Sequence, residues 1–246
     1  MLRFLIHPDQ INEGTVRLAG SQYRHAVRVL RLGPGDEVML LSGDREWIAV
    51  LEQVGRSELT ARVVSVRPAV TEPSAVVTLV QALVKADRMD WVVQKCTELG
   101  VKRLIPVSSE RAVVKPDAVG GGSRGDRWRR IAQAAAEQCG RPTAMEIEHI
   151  AELEATVHRL AEDHLLIVPH EVEREVGLRD VIARQAGQPI ALLIGPEGGW
   201  SGREVDLIRA VGGVAVSLGP RILRTETAAV VACALVLYES GELGPR

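Results

Sequence analysis

The sequence predicts an α/β protein in which a small β-rich domain precedes a larger domain with a parallel sheet. The chain has 246 residues, which allows one large domain or two unequal ones. An apolar fraction of 46% and a charged fraction of 25% are ordinary for a globular protein. The hydrophobic pattern also changes after a linker at residues 68–74, which contains two prolines. The domain limits are therefore placed at 1–70 and 74–246.

The first domain is predicted to be barrel-like, because short apolar segments alternate with turns rich in glycine and aspartate. A single short helix is expected from Ser21 to Arg31, between an N-terminal strand and the remaining strands. Those remaining strands are predicted at residues 38–41, 47–51 and 59–66.

In the second domain, continuous apolar runs alternate with segments of helical period, which is typical of a parallel sheet covered by helices. The predicted strands are residues 76–83, 104–107, 165–168, 190–194 and 214–218. The predicted helices are residues 88–99, 125–139, 203–211 and 226–238. Ser201 and Glu204 form a capping-box pattern, which predicts that the third of these helices starts just after Ser201.

No export signal, membrane span or metal site is expected. The N-terminal residues turn polar too soon for a secretory signal. The longest apolar run, residues 228–238, is shorter than the ~20 residues of a spanning helix. Cys96, Cys139 and Cys233 are far apart and lack metal-binding spacing, so buried reduced thiols are expected. The expected location is the cytoplasm.

The formal net charge of −2 is unevenly distributed along the chain. Residues 85–141 contain twelve lysines and arginines and seven acidic residues. Residues 142–246 contain nine lysines and arginines and sixteen acidic residues. A second basic cluster includes Arg24, Arg28 and Arg31, whose spacing would put them on one face of a helix. This cluster is either a solvated face or a phosphate-contacting surface, and the two separate basic segments favour the second.

Three predicted strands end in glycine, proline and charged residues, at positions 169–171, 195–201 and 219–227. In open α/β sheets, ligands bind beyond the carboxyl ends of the strands. The Walker A and Gly-x-Gly-x-x-Gly patterns do not occur in the two Gly-Pro loops, which disfavours a Rossmann dinucleotide site. Two Gly-Pro loops on neighbouring strands either form tight turns or cradle a flat, partly polar ligand through main-chain groups. Arg221, Arg224 and Glu226 beside them favour a ligand site.

Two loop motifs closely resemble those of the RsmE family: Leu-Ile-Gly-Pro-Glu-Gly-Gly at 193–199 and Leu-Gly-Pro-Arg-Ile-Leu-Arg-Thr-Glu-Thr-Ala at 218–228. Members of this family are SPOUT-superfamily enzymes that methylate N3 of a uridine in small-subunit (16S) ribosomal RNA with S-adenosylmethionine. The resemblance covers nearly the whole chain, through further segments at 25–36, 85–101, 109–111 and 137–141.

The resemblance implies an α/β fold in which a C-terminal SPOUT domain with a trefoil knot follows a small PUA-like β-barrel domain. It also implies a homodimer that binds S-adenosylmethionine in the knot and acts on 16S ribosomal RNA, within the small ribosomal subunit and without a membrane partner. Related ribose-methylating enzymes carry an Asn-x-x-Arg motif near the first strand. Residues 83–88 lack that asparagine, which favours a base as the target.

Two sets of binding residues are expected. The cofactor-binding residues implied by the resemblance are Pro169, His170, Glu171, Ile194, Gly195, Pro196, Glu197, Gly198, Gly199, Leu218, Gly219, Pro220, Arg221, Ile222, Leu223, Thr227 and Ala228. The residues expected to bind RNA, from the basic clusters and the matching segments, are Arg24, His25, Arg28, Arg31, Lys85, Lys95 and Arg111.

Methylation at N3 requires the uridine to lose its N3 proton, so negative charge develops on the ring carbonyl oxygens. Fixed cationic donors stabilise such charge, and Arg224 is the first candidate and Arg221 the second. Glu226 could orient an arginine, act as a base, or simply begin a helix. Glu197 could bind the amino group of the cofactor or lock its loop. Two alternatives stay open: another RNA specificity within the superfamily, and a non-enzymatic RNA-binding ribosome factor.

Overall fold

A computed structural model describes residues 1–114, 121–184 and 187–244. Lys115 and Asp117, two of the charged residues counted in segment 85–141, lie outside the described residues. The chain divides into two compact units. The first contains residues 1–72 and 136–143, and the second contains residues 73–135 and 144–246. Within the described ranges, no helix is both long and apolar enough to cross a bilayer.

The first unit is built on a six-stranded sheet with the order β1-β4-β5-β6-β3-β2. The strands are β1 (Leu2–Leu5), β2 (Ile11–Asn12), β3 (Thr15–Ala19), β4 (Glu37–Ser42), β5 (Arg45–Val54) and β6 (Glu58–Pro68). β1 pairs with β4 in parallel, and the other pairs are antiparallel. Phe4, Leu18, Leu40 and Leu59 are buried in its core, where alternate strand residues point inward. The three strands predicted between residues 38 and 66 are confirmed.

The predicted single helix from Ser21 to Arg31 is wrong. A four-residue helix, α1 (Gly20–Tyr23), continues into a π-helical segment, Arg24–Val29. The amide of Leu30 donates to the carbonyl oxygen of His25, five residues back, at 3.0 Å. The chain has left the helix before Arg31, which has a positive φ of 56°. Arg31 therefore does not share a helical face with Arg24 and Arg28.

The second unit is built on a seven-stranded sheet in which every pair is parallel. Its order is β10-β8-β7-β12-β11-β13, and β9 pairs with β8. The strands are β7 (Val77–Ala82), β8 (Arg103–Ser108), β9 (Glu146–Ile147), β10 (Ala151–Glu152), β11 (Leu165–Pro169), β12 (Ile190–Ile194) and β13 (Val214–Val216). All residues of β7 and β12 are buried, as expected for strands covered on both faces.

In the described ranges, six helices accompany this sheet: α2 (Ala86–Leu99), α3 (Gly121–Cys139), α4 (Leu153–Leu160), α5 (Leu178–Arg184), α6 (Gly202–Ala210) and α7 (Thr225–Glu239). The predicted capping box at the start of α6 is confirmed. The amide of Glu204 donates to Ser201 Oγ at 3.1 Å, and the amide of Ser201 donates to Glu204 Oε2 at 2.7 Å. α4 and α5 were not predicted.

The strand order corrects one expectation about the ligand loops. β12 and β13, which precede the two Gly-Pro loops, are not neighbours, because β11 lies between them and pairs with both. All three strands are parallel, so their carboxyl ends meet at the same edge of the sheet. The loop after β11 therefore takes a central place between the two Gly-Pro loops.

Candidate active site

A cavity of about 500 Å³ opens at the carboxyl ends of β11, β12 and β13. The three loops that follow these strands form most of its wall. Arg88, from the first turn of α2, and Thr225 and Ala228, from the start of α7, complete it. Such a crevice beyond the strand ends is where open α/β sheets bind ligands.

Most of the predicted cofactor-binding residues lie together around this cavity. Among the described residues, Pro220 and Thr227 are the predicted members of that set that do not line it. Arg221 and Arg224 line the cavity, whereas Glu226 does not. Three lining residues were missed by sequence reasoning: Arg88, Trp200 and Thr225.

The loop after β12, residues 195–200, is held in place by side chains from two other parts of the chain. Thr225 Oγ1, at the start of α7, donates to the carbonyl oxygen of Gly195 at 2.6 Å. Arg111 Nη1 donates to the carbonyl oxygens of Gly198 at 3.2 Å and Trp200 at 3.4 Å. These bonds fix the loop before any ligand binds.

Three glycines of this loop are favoured, two by close packing and one by its backbone conformation. A Cβ on Gly195 would lie 3.1 Å from the amide nitrogen of Trp200, and one on Gly198 would lie 3.3 Å from Arg111 Cβ. Gly199 has a positive φ of 67°, which side chains other than glycine rarely adopt. The loop thus presents main-chain groups, with little side-chain cover, along the cavity.

A cluster of three charged side chains borders the cavity. Arg88 Nη1 donates to Glu197 Oε1 at 2.7 Å, and Arg88 Nε lies 3.8 Å from Glu226 Oε1. The second oxygen of Glu226, Oε2, is buried and has no hydrogen-bond partner among the described residues. Glu226 therefore faces Arg88, and not the two arginines proposed for chemistry.

Arg221 and Arg224 are exposed at the cavity, and Arg224 occupies the N-cap position of α7 without a side-chain capping bond. In the part of the chain that is described, no ion pair or hydrogen bond engages either guanidinium group. Nδ1 of His170, another lining residue, is buried, and it too has no hydrogen-bond partner among the described residues. The cavity thus offers two cationic side chains and one buried ring nitrogen to a ligand.

The residues expected to bind RNA have different surroundings. Arg24, His25, Arg28 and Arg31 are exposed in the first unit, and Lys85 is exposed at the N-cap of α2. Lys95 is paired with Glu98 at 2.8 Å. Arg111, as described above, holds the loop after β12.

A family model described as an RNA methyltransferase domain matches residues 71–237. The chain belongs to the RNA methyltransferase family. A second model, described as an RNA methyltransferase PUA domain, matches residues 18–64. The family predicted from the two loop motifs is confirmed, together with an α/β methyltransferase fold that carries a PUA domain.

Curated relatives of this RNA methyltransferase match it over nearly its whole length. It is 31% identical to ribosomal RNA small subunit methyltransferase E of Bacillus subtilis (strain 168), over 98% of this chain and 97% of that protein. It is 34% identical to the protein of the same name from Mycobacterium tuberculosis, over 96% of this chain and 92% of that protein.

Solved structures of similar methyltransferases have the same fold. One is a ribosomal RNA small subunit methyltransferase E from Neisseria gonorrhoeae bound to S-adenosyl methionine, with 33% identity, 97% coverage of each chain and a TM-score of 0.87. Another is a putative methyltransferase from Legionella pneumophila in complex with the same cofactor, with 33% identity, 96% coverage of each chain and a TM-score of 0.86.

Proposed function

We propose that this RNA methyltransferase transfers a methyl group from S-adenosylmethionine to N3 of a uridine in the 16S ribosomal RNA of the small subunit. The observation that carries the proposal is a cavity walled by glycine-rich loops, with two unpaired arginines of the described chain at its edge. Relatives named for small-subunit ribosomal RNA, one of them solved with the methyl donor, support the same assignment. A similar putative methyltransferase solved with the same donor supports the donor site.

The residues at the cavity fit this donor. S-adenosylmethionine supplies a methyl group on a positively charged sulfur, so the transfer needs no metal. Main-chain groups of Ile194–Gly199 and Leu218–Leu223 would hold the adenosine part, because their glycines leave room for close approach. The buried Nδ1 of His170 offers one further polar contact. Pro220 and Thr227 would support these segments from behind.

The two arginines can supply the charge stabilisation that the reaction needs. The uridine must lose its N3 proton, and the resulting negative charge spreads to the ring oxygens. Arg224 and Arg221 would donate to those oxygens, as donors do in an oxyanion hole. Glu226, which faces Arg88 in the structure, would act through that arginine.

Several larger features belong to the same proposal. Residues 1–70 would be a PUA-like β-barrel that binds RNA, and residues 74–246 a SPOUT domain with a trefoil knot. Two copies would form a homodimer, and the protein would act in the cytoplasm on the small ribosomal subunit. The proposed RNA contacts are Arg24, His25, Arg28, Arg31, Lys85, Lys95 and Arg111.

Donor binding is tested by calorimetry with S-adenosylmethionine in the presence of a chelator. The wild type should bind, and Gly198→Val should lose binding, because its side chain would meet Arg111 Cβ and enter the loop wall. Gly202→Val is the matched control, since a Cβ there meets nothing within 4 Å. If the wild type does not bind, the alternative of a non-enzymatic RNA-binding factor gains support.

A further inference from the structure

Arg88 joins three separate elements at the cavity. It lies in the first turn of α2, its Nη1 donates to Glu197 Oε1 at 2.7 Å, and its Nε lies 3.8 Å from Glu226 Oε1. Glu197 belongs to the loop after β12, and Glu226 belongs to the first turn of α7. A single guanidinium group therefore connects a ligand loop to two helices.

The three charged groups are partly withdrawn from water. The side chains of Arg88, Glu197 and Glu226 are 27%, 28% and 15% exposed. Partial burial reduces solvent screening, so this cluster is stronger than a fully exposed ion pair. Among the described residues, Arg88 is the ion-pair partner of both carboxylates. Its removal would leave two negative charges beside the cavity without compensation.

Arg88 is the side-chain anchor at the middle of the loop, where the amide of Gly199 also donates to the carbonyl oxygen of Pro196 at 2.9 Å. Thr225 binds Gly195 at the beginning of the loop, and Arg111 binds the carbonyl groups near its end. Glu197 lies between these points and is followed by two glycines. Glycine backbones lose much conformational entropy when they are ordered, so a side-chain anchor here should help to keep the loop ordered.

We propose that Arg88 is a positioning residue for methyl transfer, which ties the middle of loop 195–200 to α7 through Glu197 and Glu226 before the donor binds. The inference rests on the proposed function of the cavity as the donor site. A loop that is ordered in advance spares the donor the entropic cost of ordering it. Loss of Arg88 should therefore raise the KM for the donor, whereas kcat at saturating donor should change little.

The experiment compares Arg88→Met, Glu197→Gln, the double variant and Arg88→Lys in the full-length protein. Arg88→Met and Glu197→Gln should each raise the Kd for S-adenosylmethionine about tenfold, the order expected for one charge-assisted hydrogen bond. The double variant should be no weaker than Arg88→Met, because both changes break the same contact. Lysine keeps the charge without the fork, so Arg88→Lys should recover part of the affinity.

Hydrogen exchange of residues 195–200, measured without donor, reports directly how well the loop is ordered. Exchange should be faster in Arg88→Met than in wild type. With saturating donor, the two proteins should exchange at similar rates. Arg159→Met is the matched control, because Arg159 pairs with Glu148 and does not line the cavity. That control should keep the wild-type exchange and the wild-type Kd.

Three results would overturn the positioning role. They are wild-type exchange and Kd in Arg88→Met, additive effects of Arg88→Met and Glu197→Gln, or a lowered kcat with an unchanged Kd. The last would mean that Arg88 acts on the substrate. If the wild type does not bind the donor, the proposed function fails instead, and the exchange of the donor-free loop still decides whether Arg88 anchors it.

Discussion

Arg224 stands where the loop after β13 becomes helix α7, and its guanidinium has no described partner. Its proposed role is confined to the transition state, when N3 has lost its proton. Arg224→Ala should therefore lower the methylation rate constant by about a hundredfold, the usual cost of one such donor. The Kd for the donor should change little.

Single-turnover methylation at saturating RNA measures this rate constant. Arg224→Lys should recover only part of the rate, because lysine keeps the charge but lacks the planar fork. A rate close to wild type in Arg224→Ala would assign the role to Arg221. Loss of Arg88, in contrast, should change donor affinity and leave kcat nearly unchanged.

Those site residues that lie close together along the chain could be predicted from the sequence. Gly195 and Gly219 stand directly after predicted strands, and the sheet rule places such loops at one edge. Arg88 could not be found this way. Its partners Glu197 and Glu226 are more than a hundred residues away in sequence, and only the folded chain brings them within 4 Å.

At the scale of elements, α2 and α7 pack through two buried thiols. Cys96 and Cys233 are fully buried, as predicted, with 4.0 Å between their sulfur atoms, whereas Cys139 is half-buried. The hydrogen bond with Cys233, together with burial, raises the pKa of Cys96 well above its usual value. Both effects keep the thiol protonated and shielded at neutral pH.

A thiol-reactive chromophore added to the native protein should therefore react with Cys139 alone on the time scale of minutes. Cys96 and Cys233 should react only when the protein is unfolded in denaturant. Cys139→Ser is the control, and should abolish the native reaction. Equal rates for all three thiols in the native protein would show that the interface between α2 and α7 opens readily.

The differences between predicted and observed elements have local causes. Five strands of the parallel sheet were predicted because residues buried on both faces form continuous apolar runs, as in β7 and β12. The two-residue strands β9 and β10 are too short to form such a run, and they were not predicted. The segment at 20–31 was harder to predict. Helical periodicity does not distinguish an α-helix from the π-helical turns of Arg24–Val29, and it gave no sign that the chain leaves the helix before Arg31.

At the scale of the whole molecule, the exposed arginines of the first unit should supply RNA affinity and leave the chemistry unchanged. Replacing Arg24, Arg28 and Arg31 together by alanine should weaken RNA binding. It should also reduce the slope of log K against log salt by about one unit per lost phosphate contact. Arg31 lies outside the helix, but it is exposed like the other two.

Filter binding at several salt concentrations measures both quantities, and calorimetry should show an unchanged Kd for the donor. Arg159→Ala, in the acidic last part of the chain, is the control and should keep the wild-type slope. An unchanged affinity and slope in the triple variant would mean that these arginines form only a solvated surface.

We propose that the cavity directs a methyl group to a uracil base of small-subunit ribosomal RNA. The most direct measurement incubates the purified protein with isotopically labelled S-adenosylmethionine and small ribosomal subunits or their naked RNA. The RNA is then digested, and the labelled nucleoside is identified and mapped by mass spectrometry. We expect N3-methyluridine at a single position of 16S ribosomal RNA, in an amount that Arg224→Ala strongly reduces. Label on a ribose or on another base, or no transfer by a protein that binds the donor, would contradict the proposal.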